Sequence, residues 1–200
     1  MPPVLEIVPA TAPEAVAQAR ELFLEYQREL GIDLCFQGFQ KELDGLPGEY
    51  APPGGRLFLA LADGELAGCV ALHRFRGETC EMKRLYLRAA NRGSGLGRRL
   101  AEAVIEAARE IGYARMVLDT LPSMTTAQAL YRSLGFREIP PYRENPVPGA
   151  LFMELPLRDS PAGPAPKATG RSFRFPSHRR RSAGKRPLLG RMDDTGLRAS

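Results

Sequence analysis

The residues most able to do chemistry form a glycine-rich turn between an apolar strand and an amphipathic helix. Gly93, Gly95 and Gly97 stand at every second position and leave backbone N–H groups free to converge on one point. The following helix turns the positive end of its dipole toward that point. Formal charge is added by Arg88, Arg92, Arg98 and Arg99. This pattern predicts a site for a phosphorylated ligand.

Two common phosphate-binding loops do not fit this turn. A dinucleotide fingerprint needs G-x-G-x-x-G, and here the third glycine comes one position early. A P-loop needs G-x-x-x-x-G-K-[ST], and no Lys-Ser or Lys-Thr pair follows these glycines. The pattern that fits is R-x-x-G-x-G at residues 92–97. It resembles the acetyl-CoA pyrophosphate loop of the GCN5-related N-acetyltransferase (GNAT) family.

A second motif carries the same resemblance. Residues 127–136 match the A-x-x-L-Y-x-x-x-G-F signature of that family at the expected distance from the loop. The resemblance covers roughly residues 4–157. It implies an α/β (α+β) structure with the acyl-CoA N-acyltransferase (GNAT) fold, in which a mixed, mostly antiparallel central sheet of about seven strands has flanking helices.

Apolar periodicity and turn residues predict the order of the secondary-structure elements. An Asp-Gly pair at 63–64 predicts a β-hairpin. A helix before residue 116 requires the next strand to run parallel to its predecessor. Residues 45–55 are expected to form a loop because they are rich in Gly and Pro. Strands are predicted at 4–8, 57–61, 66–75, 79–87, 116–119, 136–139 and 151–157, and helices at 13–30, 39–43, 95–111 and 125–134.

The resemblance implies that acetyl-CoA binds as co-substrate and that no metal is needed. The strands at 79–87 and 114–119 would splay apart, so that the pantetheine arm pairs with the first of them. A backbone N–H near Leu85 would then stabilise the oxyanion. One departure is Met124, where many relatives have Asn; Ser123, Thr125 or Thr126 could substitute. The expected acetyl-CoA contacts are Leu85, Tyr86, Leu87, Arg92, Gly93, Ser94, Gly95, Leu96, Gly97 and Arg98.

Two residues match the proton-handling groups of the family. Tyr131 corresponds to the general acid that protonates the departing thiolate, and its alternative role is aromatic packing. Glu81 stands where several relatives place a base, and its alternative is an ion pair with Lys83 or Arg84. A covalent route through Cys80 would need a nearby His, but Cys80 and His73 are expected to be ordinary strand residues.

Charge divides the chain into two parts. The formal charge of the 200 residues is +5, but residues 158–200 carry 11 basic and 3 acidic residues, and the remainder carries 17 basic and 20 acidic. We therefore expect an acetyltransferase domain at 1–157 and a basic, Pro/Gly/Ser/Arg-rich, disordered tail at 158–200. The mildly acidic domain argues against a polyanionic acceptor, and nucleic acid is expected only if the tail binds it.

Cysteine usage and hydropathy favour a cytoplasmic protein. Cys35, Cys69 and Cys80 are odd in number and too far apart for a C-x-x-C motif, so we expect reduced thiols. The N-terminus lacks the pattern of an export signal, and no run of 18 apolar residues predicts a membrane span.

The expected function is transfer of the acetyl group of acetyl-CoA to a primary amine of a small molecule, such as an amino acid or polyamine, by direct attack in a ternary complex. Two alternatives remain open: an acyl-CoA-binding regulatory module without turnover, and a protein acetyltransferase guided by the basic tail. The acceptor pocket is expected between the loops at 31–56 and 140–149. Its candidate contacts are Phe36, Phe39 and Tyr50, and a homodimer is possible.

Overall fold

One seven-stranded sheet organises the chain. The computed structural model describes residues 3–32 and 38–158, and within them the strand order is β1-β2-β3-β4-β5-β7-β6. All neighbouring strands are antiparallel except β4 and β5, which confirms the mixed, mostly antiparallel sheet. The strands are β1 (Leu5–Pro9), β2 (Arg56–Ala62), β3 (Glu65–Arg76), β4 (Thr79–Leu87), β5 (Arg115–Thr120), β6 (Arg137–Ile139) and β7 (Leu151–Pro156).

Four helices cover the two faces of the sheet. They are α1 (Pro13–Leu30), α2 (Phe39–Asp44), α3 (Leu96–Ile111) and α4 (Thr125–Ser133), and each lies within one or two residues of its predicted bounds. The apolar stripe of α3, which includes Leu100 and Val104, packs with Tyr131 of α4 on one face. On the other face Phe23 of α1 and Phe39 of α2 pack on Leu59. The sheet therefore separates two apolar cores.

The sheet opens between β4 and β5. These parallel strands pair at three positions only, from Thr79 with Arg115 to Glu81 with Val117. Just beyond, one residue of β3 faces two residues of β4, and Arg84 has a φ of 57°. This is a β-bulge, which bends a strand and increases its twist. The bulge explains why β4 diverges from β5. The sequence alone predicts no bulge at this position.

Several predictions concern residues outside the ranges that the structure describes, or at their ends. Cys35 and Phe36, and the predicted tail from 159 onward, lie outside them. Arg158, the first residue of the predicted tail, donates a hydrogen bond to Glu78 at 3.1 Å and another to the Gly112 carbonyl. The predicted loop at 45–55 contains one short 3₁₀ turn. Across residues 3–32 and 38–158, no helix combines the length and the apolar character that crossing a membrane requires.

Candidate active site

The larger cavity at the splayed strands is a cleft of about 620 Å³. We call it the donor cleft. Its walls come from the end of β4, the glycine turn, the last turns of α1 and the start of α4. Eight of the ten expected acetyl-CoA contacts line it: Leu85, Tyr86, Leu87, Arg92, Gly93, Gly95, Gly97 and Arg98. The structure thus brings the strand and turn motifs together in one elongated groove.

The glycine turn holds its backbone open toward this cleft. Gly93 and Gly95 have φ values of 79° and 87°, a region that residues with a Cβ rarely adopt. Ser94 turns away, because its hydroxyl donates to the Asn91 carbonyl at 2.6 Å. Leu96, the first residue of α3, has its side chain fully buried in the core, so only its backbone could contribute to a phosphate site. The residues present therefore fit a diphosphate held by backbone groups.

The arginines of the turn have different surroundings. Arg92 donates to Glu29 of α1 at 2.6 Å and to the Leu87 carbonyl at 3.0 Å. Arg98 donates to the Ser133 hydroxyl at 2.6 Å. The expectation that Arg88 adds charge to the site is wrong, because its guanidinium is bound by Glu21 and Glu25 of α1 and does not line the cleft.

The start of α4 forms the opposite wall of the donor cleft. Met124 lies at the N-cap, where the family resemblance led us to expect Asn, and makes no side-chain cap hydrogen bond. Ser123, Thr125 and Thr126, the three candidate substitutes, all line the cleft beside it. Each brings a hydroxyl that could bind coenzyme backbone, so the choice among them stays open.

A second, narrower cavity of about 50 Å³ adjoins the donor cleft at the gap between β4 and β5. We call it the throat. The two cavities lie side by side, because they share the lining residues Tyr26, Leu30, Leu85 and Met124. The throat is also lined by Lys83, Asp119, Tyr131 and Asn145. Its size leaves room for only a few atoms, as expected where a reacting group would meet the donor.

Tyr131 lies in the wall of the throat. It is buried on α4, with its ring 5.7 Å from that of Phe136. Burial raises the pKa of the Tyr131 phenol well above its usual range, so the hydroxyl keeps its proton at neutral pH. The predicted general acid is therefore placed between the end of β4 and the splayed β5, although packing accounts for part of its environment.

Glu81 is buried and does not line the throat. Its carboxylate accepts hydrogen bonds from Tyr142 at 2.6 Å and from Arg143 at 3.1 Å, and it lies 2.8 Å from His73 Nε2. Burial alone would raise the pKa of Glu81, but the His73 hydrogen bond and the Arg143 charge lower it. This geometry disfavours Glu81 as a direct base. The alternative pairing with Lys83 or Arg84 is also not observed.

Asp119 is the carboxylate that reaches the throat, and the sequence analysis missed it. It lies near the end of β5 and accepts hydrogen bonds from Arg143 at 2.6 Å and Asn145 at 2.7 Å. Arg143 therefore bridges Asp119 and Glu81. A single acidic residue in the apolar run of β5 was the available signal, because a charge there requires partners.

The route through a covalent cysteine finds no support in the geometry. His73 pairs in register with Glu81, whereas Cys80 pairs with Arg74, so the two side chains point to opposite faces of the sheet. Burial raises the pKa of the Cys80 thiol to about 12, and its Sγ contacts the Arg115 carbonyl. Both residues belong to the strands, as predicted. In the part of the chain that the structure describes, no cluster of His, Cys, Asp and Glu could hold a metal ion.

The predicted acceptor contacts Phe39 and Tyr50 lie in different surroundings. Phe39 is buried beneath the Arg84 guanidinium, 5.0 Å from its ring centre, so it packs the core instead of facing an acceptor. Tyr50 is also buried, but it lines a depression of about 320 Å³ beside α2 and the 3₁₀ turn. We call this third cavity the outer depression. Lys83 lines both it and the throat.

Comparison with known sequences gives the class of protein. The family model described as the acetyltransferase (GNAT) family matches residues 17–136. An uncharacterised N-acetyltransferase from Schizosaccharomyces pombe is 41% identical over 147 residues, which cover 72% of this chain and 90% of that protein. The chain therefore belongs to the GNAT family of acetyltransferases and is an acyltransferase.

Solved structures share the fold. A GNAT-family acetyltransferase from Staphylococcus aureus aligns with a TM-score of 0.66 at 22% identity, covering 78% of this chain and 100% of that chain. An acetyltransferase from Salmonella typhimurium, solved with its cofactor acetyl-CoA, aligns with a TM-score of 0.55 at 22% identity, covering 80% and 98%. These likenesses confirm the predicted fold.

Proposed function

We propose that this protein transfers the acetyl group of acetyl-CoA to the primary amine of a small molecule by direct attack in a ternary complex. The observation that carries the proposal is that the throat adjoins the donor cleft, so that the two cavities together extend from the glycine turn to Tyr131. The buried, free thiols of Cys69 and Cys80 support our further proposal that it acts in the cytoplasm.

Backbone groups are proposed to hold the donor. When bound, acetyl-CoA supplies the acetyl group as a thioester that an amine can attack. The turn at 93–97 would bind the diphosphate through N–H groups, and Arg92 and Arg98 would add charge. Among residues 3–32 and 38–158, no strand pairs with β4 on its β5 side beyond Glu81, so we propose that its backbone near Leu85 receives an extended ligand and an oxyanion.

Tyr131 is proposed as the acid in this transfer. Attack of the free amine on the thioester carbonyl would form a C–N bond and break the C–S bond. The departing sulfur would take the phenolic proton, and the proton lost by the attacking nitrogen would restore the phenol by way of solvent. An α-amine is largely protonated at pH 7, because its pKa is about 8 or above, so only its free fraction reacts. Asp119 would orient the acceptor nitrogen, and Glu81 would hold Arg143 and thereby Asp119.

A small acceptor fits the throat better than a macromolecular one. The throat of about 50 Å³ admits only a reacting group, and the outer depression of about 320 Å³ has the size of a small molecule's remainder.

The test of this function is thiol release from acetyl-CoA with a panel of amino acids, amino acid amides, polyamines and aminoglycosides. In Tyr131→Phe we expect kcat to fall at least tenfold while affinity for acetyl-CoA is unchanged, because only the proton donor is removed. Tyr113→Phe is the matched control, since Tyr113 is also buried but donates to the Gly54 carbonyl away from the cleft. Wild-type turnover in Tyr131→Phe would remove Tyr131 as the acid.

A further inference from the structure

The two splayed strands carry opposite charges at equivalent positions. Their last paired residues are Glu81 and Val117. Two residues farther along each strand stand Lys83 and Asp119, which share one face of the sheet because strand side chains alternate. Both line the throat together with Tyr131. A cation and an anion thus flank the gap in which the acceptor must meet the donor.

The ion pairs nearby do not neutralise the opposite charges of Lys83 and Asp119. Arg84 is bound by Glu42 through two hydrogen bonds of 2.9 and 2.6 Å, so that pair is neutral. Arg143 pairs with two carboxylates, Glu81 and Asp119, so its single positive charge does not neutralise both.

Lys83 carries the matching positive charge. Among the described residues no carboxylate oxygen lies within 4.0 Å of its ammonium. Burial and the charge of Arg84 lower the pKa of Lys83, so an added anion would stabilise the ammonium. Lys83 also lines the outer depression, which is otherwise formed by α2 and the 3₁₀ turn. Its charge therefore stands where the outer depression meets the throat.

We infer that the acceptor is an amino acid, with its carboxylate bound by Lys83 and its amino group by Asp119. This assignment rests on the proposed function. The amine then lies in the throat beside Tyr131, and the side chain extends into the outer depression. The same charges oppose a polyamine, because its second cation would meet Lys83.

The test compares each of the twenty L-amino acids with its amide in the thiol-release assay of the full chain. The amide keeps the α-amine and the side chain and removes only the negative charge. Its amine is also less basic, so a larger fraction is free to react, which biases the comparison against the inference. We expect kcat/KM for the best acid to exceed that of its amide at least tenfold.

The variant Lys83→Met separates recognition of the carboxylate from other roles of Lys83. We expect KM for the acid to rise at least tenfold, with kcat within twofold and the amide unaffected. Arg109→Met is the control, because it removes a positive charge from an exposed position on α3 that lines none of the three cavities. An amide used as well as its acid, or a loss of kcat with both, would overturn the carboxylate assignment and leave the acetyltransferase proposal standing. No thiol release with any amine would contradict both.

Discussion

The donor cleft and the charged wall of the throat hold their polar groups in different ways. In the donor cleft the proposed diphosphate site uses backbone N–H groups of a short contiguous turn, and its arginines are exposed. The charged wall consists of Glu81 on β4, Asp119 on β5 and Arg143 in the loop after β6, which pair with one another. Asp119 lines the throat, whereas Arg143 and the fully buried Glu81 lie behind it. A ligand shared by a whole family can be bound by backbone, whereas an individual acceptor must be recognised by side chains.

The energetics of the two regions differ for the same reason. The Arg92–Glu29 pair at the donor cleft is about half exposed on both sides, so we expect it to contribute less than about 1 kcal/mol. Glu81 in the charged wall is fully buried, and each of its hydrogen bonds replaces water that cannot enter. Substitutions in the wall should therefore affect folding, and substitutions in the cleft should affect binding.

The largest expected effect is on the stability of Glu81→Ala. Removing this carboxylate leaves Arg143 with one buried partner fewer and the Tyr142 hydroxyl without its acceptor. We expect the free energy of unfolding in urea to fall by about 3–5 kcal/mol. Glu29→Ala at the donor cleft is the control, with an expected loss below about 1 kcal/mol. Equal losses in the two variants would abolish the distinction between the regions.

The pH dependence of stability checks the same contrast. The pKa of Glu81 is lowered in the folded state, so its contribution is present above the unfolded pKa of about 4.3 and is lost as pH falls through the folded value. We expect the stability difference between wild type and Glu81→Gln to shrink in this acidic range. A difference that stays constant down to pH 2 would show that ionisation of Glu81 does not stabilise the fold.

A smaller effect is expected on coenzyme binding in Gly95→Val. A β-branched residue cannot adopt the φ of 87° without strain, so the turn must shift and its N–H groups no longer converge. We expect Kd for acetyl-CoA by calorimetry to rise at least 100-fold, or about 2.7 kcal/mol. Gly77→Val is the matched control, because Gly77 also has a positive φ and open space but lies in the β3–β4 turn. Unchanged affinity in Gly95→Val would refute the diphosphate site.

The same contrast explains which parts of the site could be predicted from the sequence. The donor cleft depends on contiguous motifs, and eight of the ten residues expected there from the sequence line it. The charged wall depends on tertiary neighbours: Arg143 reaches Glu81 across 62 residues of sequence. The β-bulge at Arg84 also left no signal, because Arg is an unusual residue for a positive φ and is held there by Glu42 and the rings around it. Strand and helix positions were predictable because each has clear periodicity.

The smallest expected effect concerns Glu29. This acidic side chain lines the donor cleft and pairs with Arg92, which is proposed to bind the diphosphate. Glu29 holds the Arg92 guanidinium, so a phosphate must compete with a carboxylate for it. In Glu29→Gln we expect Kd for acetyl-CoA to fall about twofold to threefold at low salt, and the gain to shrink at high salt as exposed charges are screened.

Glu106→Gln provides the control for this last variant, because it removes the same charge from an exposed pair with Arg109 away from the cleft. If Glu106→Gln tightened binding equally, net charge alone would explain the gain. Weaker binding in Glu29→Gln would mean that the carboxylate positions Arg92 for the phosphate instead of competing with it. The donor cleft would then resemble the charged wall, in which each cation is held in place by an acidic partner.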